Sequence, residues 1–153
     1  MQTLNATGRP FAKGGIMSEW LLDHGALGVM GAPALELPMI PPRYNALVGP
    51  SNKASQPWIQ DEGNGYTMYF SFDTPVNAPP GPDGNPSYCG RAVFSDLHVG
   101  GETMPPDNVP PPGGCTQADL SPQEKALEFM LFDLSSCVIP DVVPPPDGGL
   151  PTQ

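Results

Sequence analysis

Ser121-Pro-Gln-Glu-Lys-Ala-Leu-Glu-Phe-Met-Leu-Phe-Asp-Leu-Ser-Ser136 opens with a capping box. The Ser121 hydroxyl is placed to accept from the backbone N–H of Glu124, the Glu124 carboxylate can reach back, and Pro122 has its φ preset for the first helical position. The stretch therefore predicts a helix over 121–136. Ala126, Leu127, Phe129, Met130, Leu131, Phe132 and Leu134 spread around more of its circumference than a lone amphipathic helix allows, so heavy packing against a sheet is expected. Lys125 and Glu128 stand three apart and are expected to pair on the exposed side.

Two strands are predicted to supply that sheet. Tyr66, Met68, Phe70 and Phe72 alternate with Thr67, Tyr69, Ser71 and Asp73 at the period of a half-buried strand. From Gly90 to Val99, Ala92, Phe94, Asp96 and His98 share one face while Arg91, Val93, Ser95, Leu97 and Val99 share the other. Both faces are apolar in the middle, which suits a strand covered on both sides. Nearer the start, Ile16, Met17, Trp20 and Leu21 mark a short helix with its body at Gly15 to His24, and Gly25 is suited to the left-handed stop. Leu37 to Ile40 is an edge strand or a loop among prolines. Thr74 to Tyr88 and Gly100 to Leu120 are loops rich in proline and glycine. We divide the chain into a flexible N-terminus at 1–12, one α/β region at 13–138 and a Pro-rich tail at 139–153.

Composition sets the limits on this unit. There are 23 Pro and 18 Gly among 153 residues, and Leu, Ile, Val and Phe make up about a fifth of the chain, close to the minimum that sustains a core. One small, loop-rich domain is the ceiling. A formal net charge of −10 repels phosphate backbones and anionic headgroups, which argues against nucleic-acid and membrane-surface binding. No apolar run approaches the ~20 residues that cross a bilayer, so no membrane insertion is expected. Residues 1–13 lack the pattern of an export signal.

The runs Cys89-Gly-Arg-Ala-Val-Phe-Ser-Asp-Leu-His-Val99 and Leu120-Ser-Pro-Gln-Glu-Lys-Ala-Leu-Glu-Phe-Met-Leu-Phe-Asp-Leu-Ser-Ser-Cys-Val138 resemble the C-terminal end of class I glutamine amidotransferase-like domains. The branch they look like occurs in large secreted or surface proteins of bacteria. Weaker likeness extends through Phe70-Ser-Phe-Asp-Thr-Pro75, Ser55-Gln-Pro-Trp58 and Trp20-Leu-Leu, from about Arg9 to Val138. The resemblance implies an α/β fold, the C-terminal portion of a flavodoxin-like sandwich with a parallel sheet between helices and a site at the carboxyl ends of the strands. It also implies an extracellular or cell-surface location. Catalytic members carry a Cys nucleophile on a strand-to-helix turn, completed by a His-x-Glu segment. Here no Gly-x-Cys-x-Gly elbow occurs, and after His98 the next acid is Glu102, four residues on where the family spacing is two. The chain is expected to correspond to the second half of such a domain, with Met1 marking a fragment or an internal start.

With the strand at 90–99 and the returning helix at 121–136, Cys89 and Cys137 fall at the same end of the unit and are expected to form a disulfide. Cys115 lies toward the other end, beyond the ~4.4 to 6.8 Å that bridged Cα atoms allow. A disulfide implies an oxidising compartment, and three free thiols in a cytosolic chain is the alternative.

The candidate catalytic residues are Asp96, His98 and Glu102. Asp96 and His98 project from one face and suit an acid–base pair or two metal ligands, though a catalytic zinc needs about three protein ligands. Ser95 is the nearest hydroxyl but lies on the opposite face. Asp61-Glu-Gly-Asn-Gly65 and Pro82-Asp-Gly-Asn-Pro86 are oxygen-rich, and ordinary turn chemistry accounts for them better than calcium does. Trp20 and Trp58 are expected in the core or an interface. No cofactor is expected. The leading functional expectation is a noncatalytic structural or interaction module with a protein partner, the missing N-terminal half of the domain, or a second copy. An amidotransferase-like or hydrolase remnant using Asp96 and His98, and a calcium-stabilised adhesin module, are the alternatives.

Overall fold

The structure is a computed structural model in which residues 11–27, 36–39, 43–61, 63–97 and 119–135 are described. The order is α1 (Ala12–Asp23), β1 (Ser55–Gln60), β2 (Thr67–Thr74), β3 (Gly90–Ser95) and α2 (Pro122–Ser135). The chain is thus a mixed α/β unit. The strands form one sheet in the order β1-β2-β3, antiparallel at both junctions. The resemblance implied a parallel sheet. The described strands instead follow one another through the 61–66 turn and the 75–89 loop, neither holding the crossover helix that a parallel pair requires.

α1 starts three residues earlier than expected. Gly14 lets Phe11 fold back over the first turn, because a Cβ there would clash with the Phe11 ring. At Gly15 a Cβ would meet nothing within 4 Å. We expect Gly14→Ala to lower stability by ~1–3 kcal/mol through overpacking. Gly15→Ala should raise it by ~0.5–1 kcal/mol through backbone entropy. Urea midpoints moving in opposite directions would bear this out, and a rise in both would show that Phe11 is not tightly seated.

The helix stops as Gly25 suggested. Gly25 has φ +65°, its N–H donates to the Leu22 carbonyl at 3.0 Å, and the Ala26 N–H donates to that of Leu21 at 2.8 Å. These two bonds make a Schellman stop.

β2 matches the expected strand within one residue at each end. β3 begins at Gly90 as expected and ends at Ser95, while Val99 lies outside the described residues. β1 was not anticipated as a strand. Pro57 sits inside it, which an edge position tolerates because no inner ladder needs its missing donor. Its register against β2 shifts between Pro57 and Ile59, and Pro57, Trp58 and Ile59 are all buried in succession. That bulge brings Trp58 to the centre of the core. Trp58 stacks on Tyr69 at 5.1 Å, meets Phe11 in a T-shaped contact at 5.1 Å and lies 6.2 Å from Phe129. Its Nε1 donates to Ser71 Oγ at 2.8 Å, which lets a polar strand residue be wholly buried.

The capping box of α2 forms: the Glu124 N–H donates to Ser121 Oγ at 3.3 Å, and the Ser121 N–H donates to Glu124 Oε2 at 2.8 Å. Heavy packing of α2 on a sheet does not follow. α2 lies against α1 and reaches the sheet through Phe129 and Asp133. Leu131, Phe132 and Leu134 remain 57%, 60% and 37% exposed. Lys125 does not serve Glu128 as its partner. Its Nζ reaches Asp119 Oδ2 at 2.8 Å and the His24 carbonyl at 2.9 Å, tying the start of α2 to the end of α1.

At the other end of the helix pair a buried ion network closes the unit. Asp133 accepts from Lys13 Nζ on one oxygen at 2.6 Å and from Arg91 Nη1 on the other at 2.8 Å, and Arg91 Nε donates to Asp73 at 3.0 Å. One carboxylate therefore joins α1, α2 and the sheet. Residues 36–39 carry no regular structure, in keeping with the loop alternative for Leu37 to Ile40, whose last residue is not described.

Candidate functional site

Of the three candidate catalytic residues, Asp96 is described, while His98 and Glu102 lie outside the described residues. Asp96 follows the last residue of β3, and its N–H donates to the Met68 carbonyl at 2.7 Å, which holds it in line with the sheet. Its carboxylate grips Asn45 with both oxygens, accepting from the backbone N–H at 3.1 Å and from Nδ2 at 2.9 Å. The same segment is pinned to the start of β2, where the Ala46 carbonyl accepts from the Thr67 N–H at 2.9 Å and Tyr44 stands 5.1 Å from Tyr66. Asp96 is thus a clasp that fixes residues 44–46 beside the sheet, a role its place in the sequence did not signal. Ser95 Oγ accepts from the Leu97 N–H at 3.3 Å and so caps the strand end.

The acidic turns behave as turns. Asp61 takes the Gly63 N–H on one oxygen and Asn64 Nδ2 on the other, and Gly65 adopts φ +74°. Asp83 takes the side-chain amide and the backbone N–H of Asn85, and those two bonds, in that order, hold its carboxyl below the ordinary aspartate range. Among the described residues no group of three His, Cys, Asp or Glu side chains comes together as a metal site. Asp119 is also held below its ordinary range, first by the hydrogen bond from Lys125 and then by the Leu120 N–H.

Where β2 ends and β3 begins, a cleft of about 310 Å3 opens between Lys53, Asp73, Asn77 and Tyr88, with Val76, Ala78, Ala54 and Pro86 completing its wall. Asp96, the described candidate residue, does not line it. Asp73 is already engaged by Arg91, and Lys53 Nζ donates to the Pro50 carbonyl at 2.6 Å.

Trp58 is a core residue, as expected. Trp20 is half-buried, stacking on His24 at 4.1 Å and lying 5.8 Å from Phe129. His24 Nδ1 also lies 2.7 Å from the Trp20 carbonyl, which engages this exposed histidine with its own helix end. Cys89 carries a free, exposed thiol, while Cys115 and Cys137 lie outside the described residues. No described helix is long and apolar enough to cross a membrane.

Compared with known proteins, the chain matches no family model, no curated protein and no solved structure.

Proposed function

We propose that this chain is a noncatalytic structural or interaction module of a secreted or surface-attached bacterial protein, built on the C-terminal portion of an amidotransferase-like, flavodoxin-like domain. The observation that carries the reading is the state of α2. Gln123, Ala126 and Met130 are buried on one side, and Asp133 is fixed there by two ion pairs. The last turns of the helix also carry exposed apolar side chains: Leu131, Phe132 and Leu134 lie away from the buried stripe, Phe132 nearly opposite it. A helix held this firmly and left this apolar is suited to dock on another protein surface. The Asp96 clasp supports the same reading, since its carboxylate is spent on fixing a loop. On this reading the antiparallel β1, β2 and β3 would be the margin of a mixed sheet, an arrangement common among large α/β sheets.

Without a partner, such a surface drives association between copies. The mass from size-exclusion chromatography with light scattering is expected to rise with concentration above the 16.1 kDa of one chain. The double variant Leu131→Glu/Phe132→Glu is expected to return it to one chain with unchanged helical circular dichroism. A compact monomer at every concentration, unfolding in one cooperative transition, would sink the proposal.

A further inference from the structure

We propose that the cleft where β2 ends and β3 begins binds a small polyhydroxylated monocarboxylate, of the sugar-acid class, with Lys53 taking the carboxylate and Asp73, Asn77 and Tyr88 taking hydroxyls. The argument rests on the cleft and not on the interaction role proposed above. At about 310 Å3 it stands near the small end of ordinary ligand sites, which begin at ~300 Å3. Its walls come from three stretches: Lys53 and Ala54 ahead of β1, Asp73 and residues 76–78 at the exit of β2, and Pro86 and Tyr88 on the approach to β3. The sheet holds these stretches in place. Ser55 pairs with Phe72, Thr74 pairs with Gly90, the Cys89 N–H donates to the Thr74 carbonyl at 2.8 Å, and the Ala78 N–H donates to the Pro75 carbonyl at 3.1 Å.

Charge decides which end of a ligand enters where. Lys13 and Arg91 are matched by Asp133 and Asp73, and Lys125 is matched by Asp119. Lys53 has no carboxylate partner among the described residues. Its exposed Nζ donates to the neutral Pro50 carbonyl at 2.6 Å, which leaves two N–H donors and the whole positive charge for an anion. The net charge of −10 on the chain repels anions in general, so a single carboxylate suits this site better than a dianion. An ammonium group would stand beside Arg91, whose Nε lies 3.0 Å from Asp73.

The remaining polar groups ask for hydroxyls. Asp73 gives Oδ1 to Arg91, and its other oxygen accepts from no described residue. The side chains of Asn77 and Tyr88 likewise bond to no described residue. Asn77 holds φ +63°, where glycine would be the least costly residue, so its carboxamide is kept in the cleft wall against the backbone preference. A carboxylate only accepts, whereas a carboxamide and a phenol both donate and accept. Hydroxyl groups do both and match all three. Ala54, Val76, Ala78 and Pro86 supply apolar surface for the C–H faces of a sugar ring.

The 15N-labelled full chain is titrated with sodium glucuronate, glucose and sodium acetate at one ionic strength. Glucuronate is expected to give saturable amide shifts at Lys53, Ala54, Asn77, Ala78 and Tyr88 with a Kd on the order of 1 mM. Glucose, which lacks the carboxylate, and acetate, which lacks the hydroxyls, should each bind about tenfold more weakly or less. Lys53→Met keeps the aliphatic stem and should weaken glucuronate about tenfold while leaving glucose unchanged. Asn77→Gly and Tyr88→Phe should each weaken glucuronate by about threefold to tenfold and leave acetate unchanged. Acetate binding as tightly as glucuronate would reveal a bare cation, and glucose binding as tightly would remove Lys53 from the site. Either result, or the absence of saturable shifts at these positions, would overturn the proposal. The three-ligand comparison needs only the unaltered chain, so a variant that fails to fold leaves the test intact.

Discussion

Replacing Asp133 with alanine is expected to cost the protein ~3–5 kcal/mol, the range for removing one partner of a buried ion pair. The side chains of Lys13, Arg91 and Asp133 are 9%, 5% and 8% exposed, so neither cation can recover full hydration when the shared carboxylate is lost. Two buried positive charges would then be left, with Asp73 as the remaining carboxylate among the described residues of the network. The cost reflects what is left behind more than the strength of the original bonds, because desolvation of the native pair already offsets much of its attraction. Asp133→Asn should fall between wild type and alanine, since it keeps the shape and one acceptor oxygen. Urea denaturation of the three proteins in low and high salt checks this. A small domain has only ~5–15 kcal/mol of total stability, so the alanine variant should lose much of its folded population on warming. The loss should persist in high salt, whereas removing the exposed Asp119 carboxylate from Lys125 should change little. A midpoint for Asp133→Ala equal to wild type would mean that the network is not sealed from water.

How much of this was legible in the sequence depends on the range of the interaction. The α2 start is encoded within four residues, and both halves of its capping box form. The α1 stop is likewise local, because Gly25 supplies the positive φ that the Schellman bonds require. The strand at Tyr66 to Asp73 was legible from its alternation, but alternation does not say which face goes inward. Thr67, Tyr69 and Ser71 are wholly buried while Met68 is buried and Phe70 and Phe72 half-buried on the other face, and the Ser71 hydroxyl tolerates burial because the Trp58 indole on the neighbouring strand satisfies it. Distant partners decide such matters. β1 was missed because Pro57 weakens a strand pattern that only its edge position rescues. Lys125 was assigned to Glu128 by helical spacing, yet Asp119 and the His24 carbonyl were within reach and hold it. Lys13 and Asp133 meet across 120 residues, and no local pattern announces that pair. Of the candidate site, the strand that carries Asp96 was legible. The clasp on Asn45 was not, because it joins positions 51 residues apart through a segment with no regular structure.

Truncating Trp58 is expected to be as damaging as losing Asp133, by a different route. Trp58 is 1% exposed and is the largest fully buried side chain, in contact with rings from the α1 cap, β2 and α2. Trp58→Ala should cost ~3–5 kcal/mol, from lost burial and from the cavity left when fixed neighbours cannot close in. Collapse is hindered on every side. Phe11 is held over Gly14, Tyr69 lies in the central strand, and Phe129 belongs to a helix anchored at both ends by Lys125 and Asp133. Trp58→Phe separates the contributions, since it keeps an aromatic ring but removes the Nε1 donor to Ser71. It should cost less than alanine, with ~1–3 kcal/mol attached to burying the hydroxyl without that donor. Restoring part of the loss with Trp58→Phe/Ser71→Ala would show that the unmatched hydroxyl was responsible, because taking away both partners of a buried hydrogen bond is milder than taking one. Denaturant midpoints for the single and double variants decide the matter. A Trp58→Ala protein within 1 kcal/mol of wild type would mean that the core closes around Phe11 and Tyr69 without the indole. The bulge in β1 would then have some purpose other than delivering Trp58.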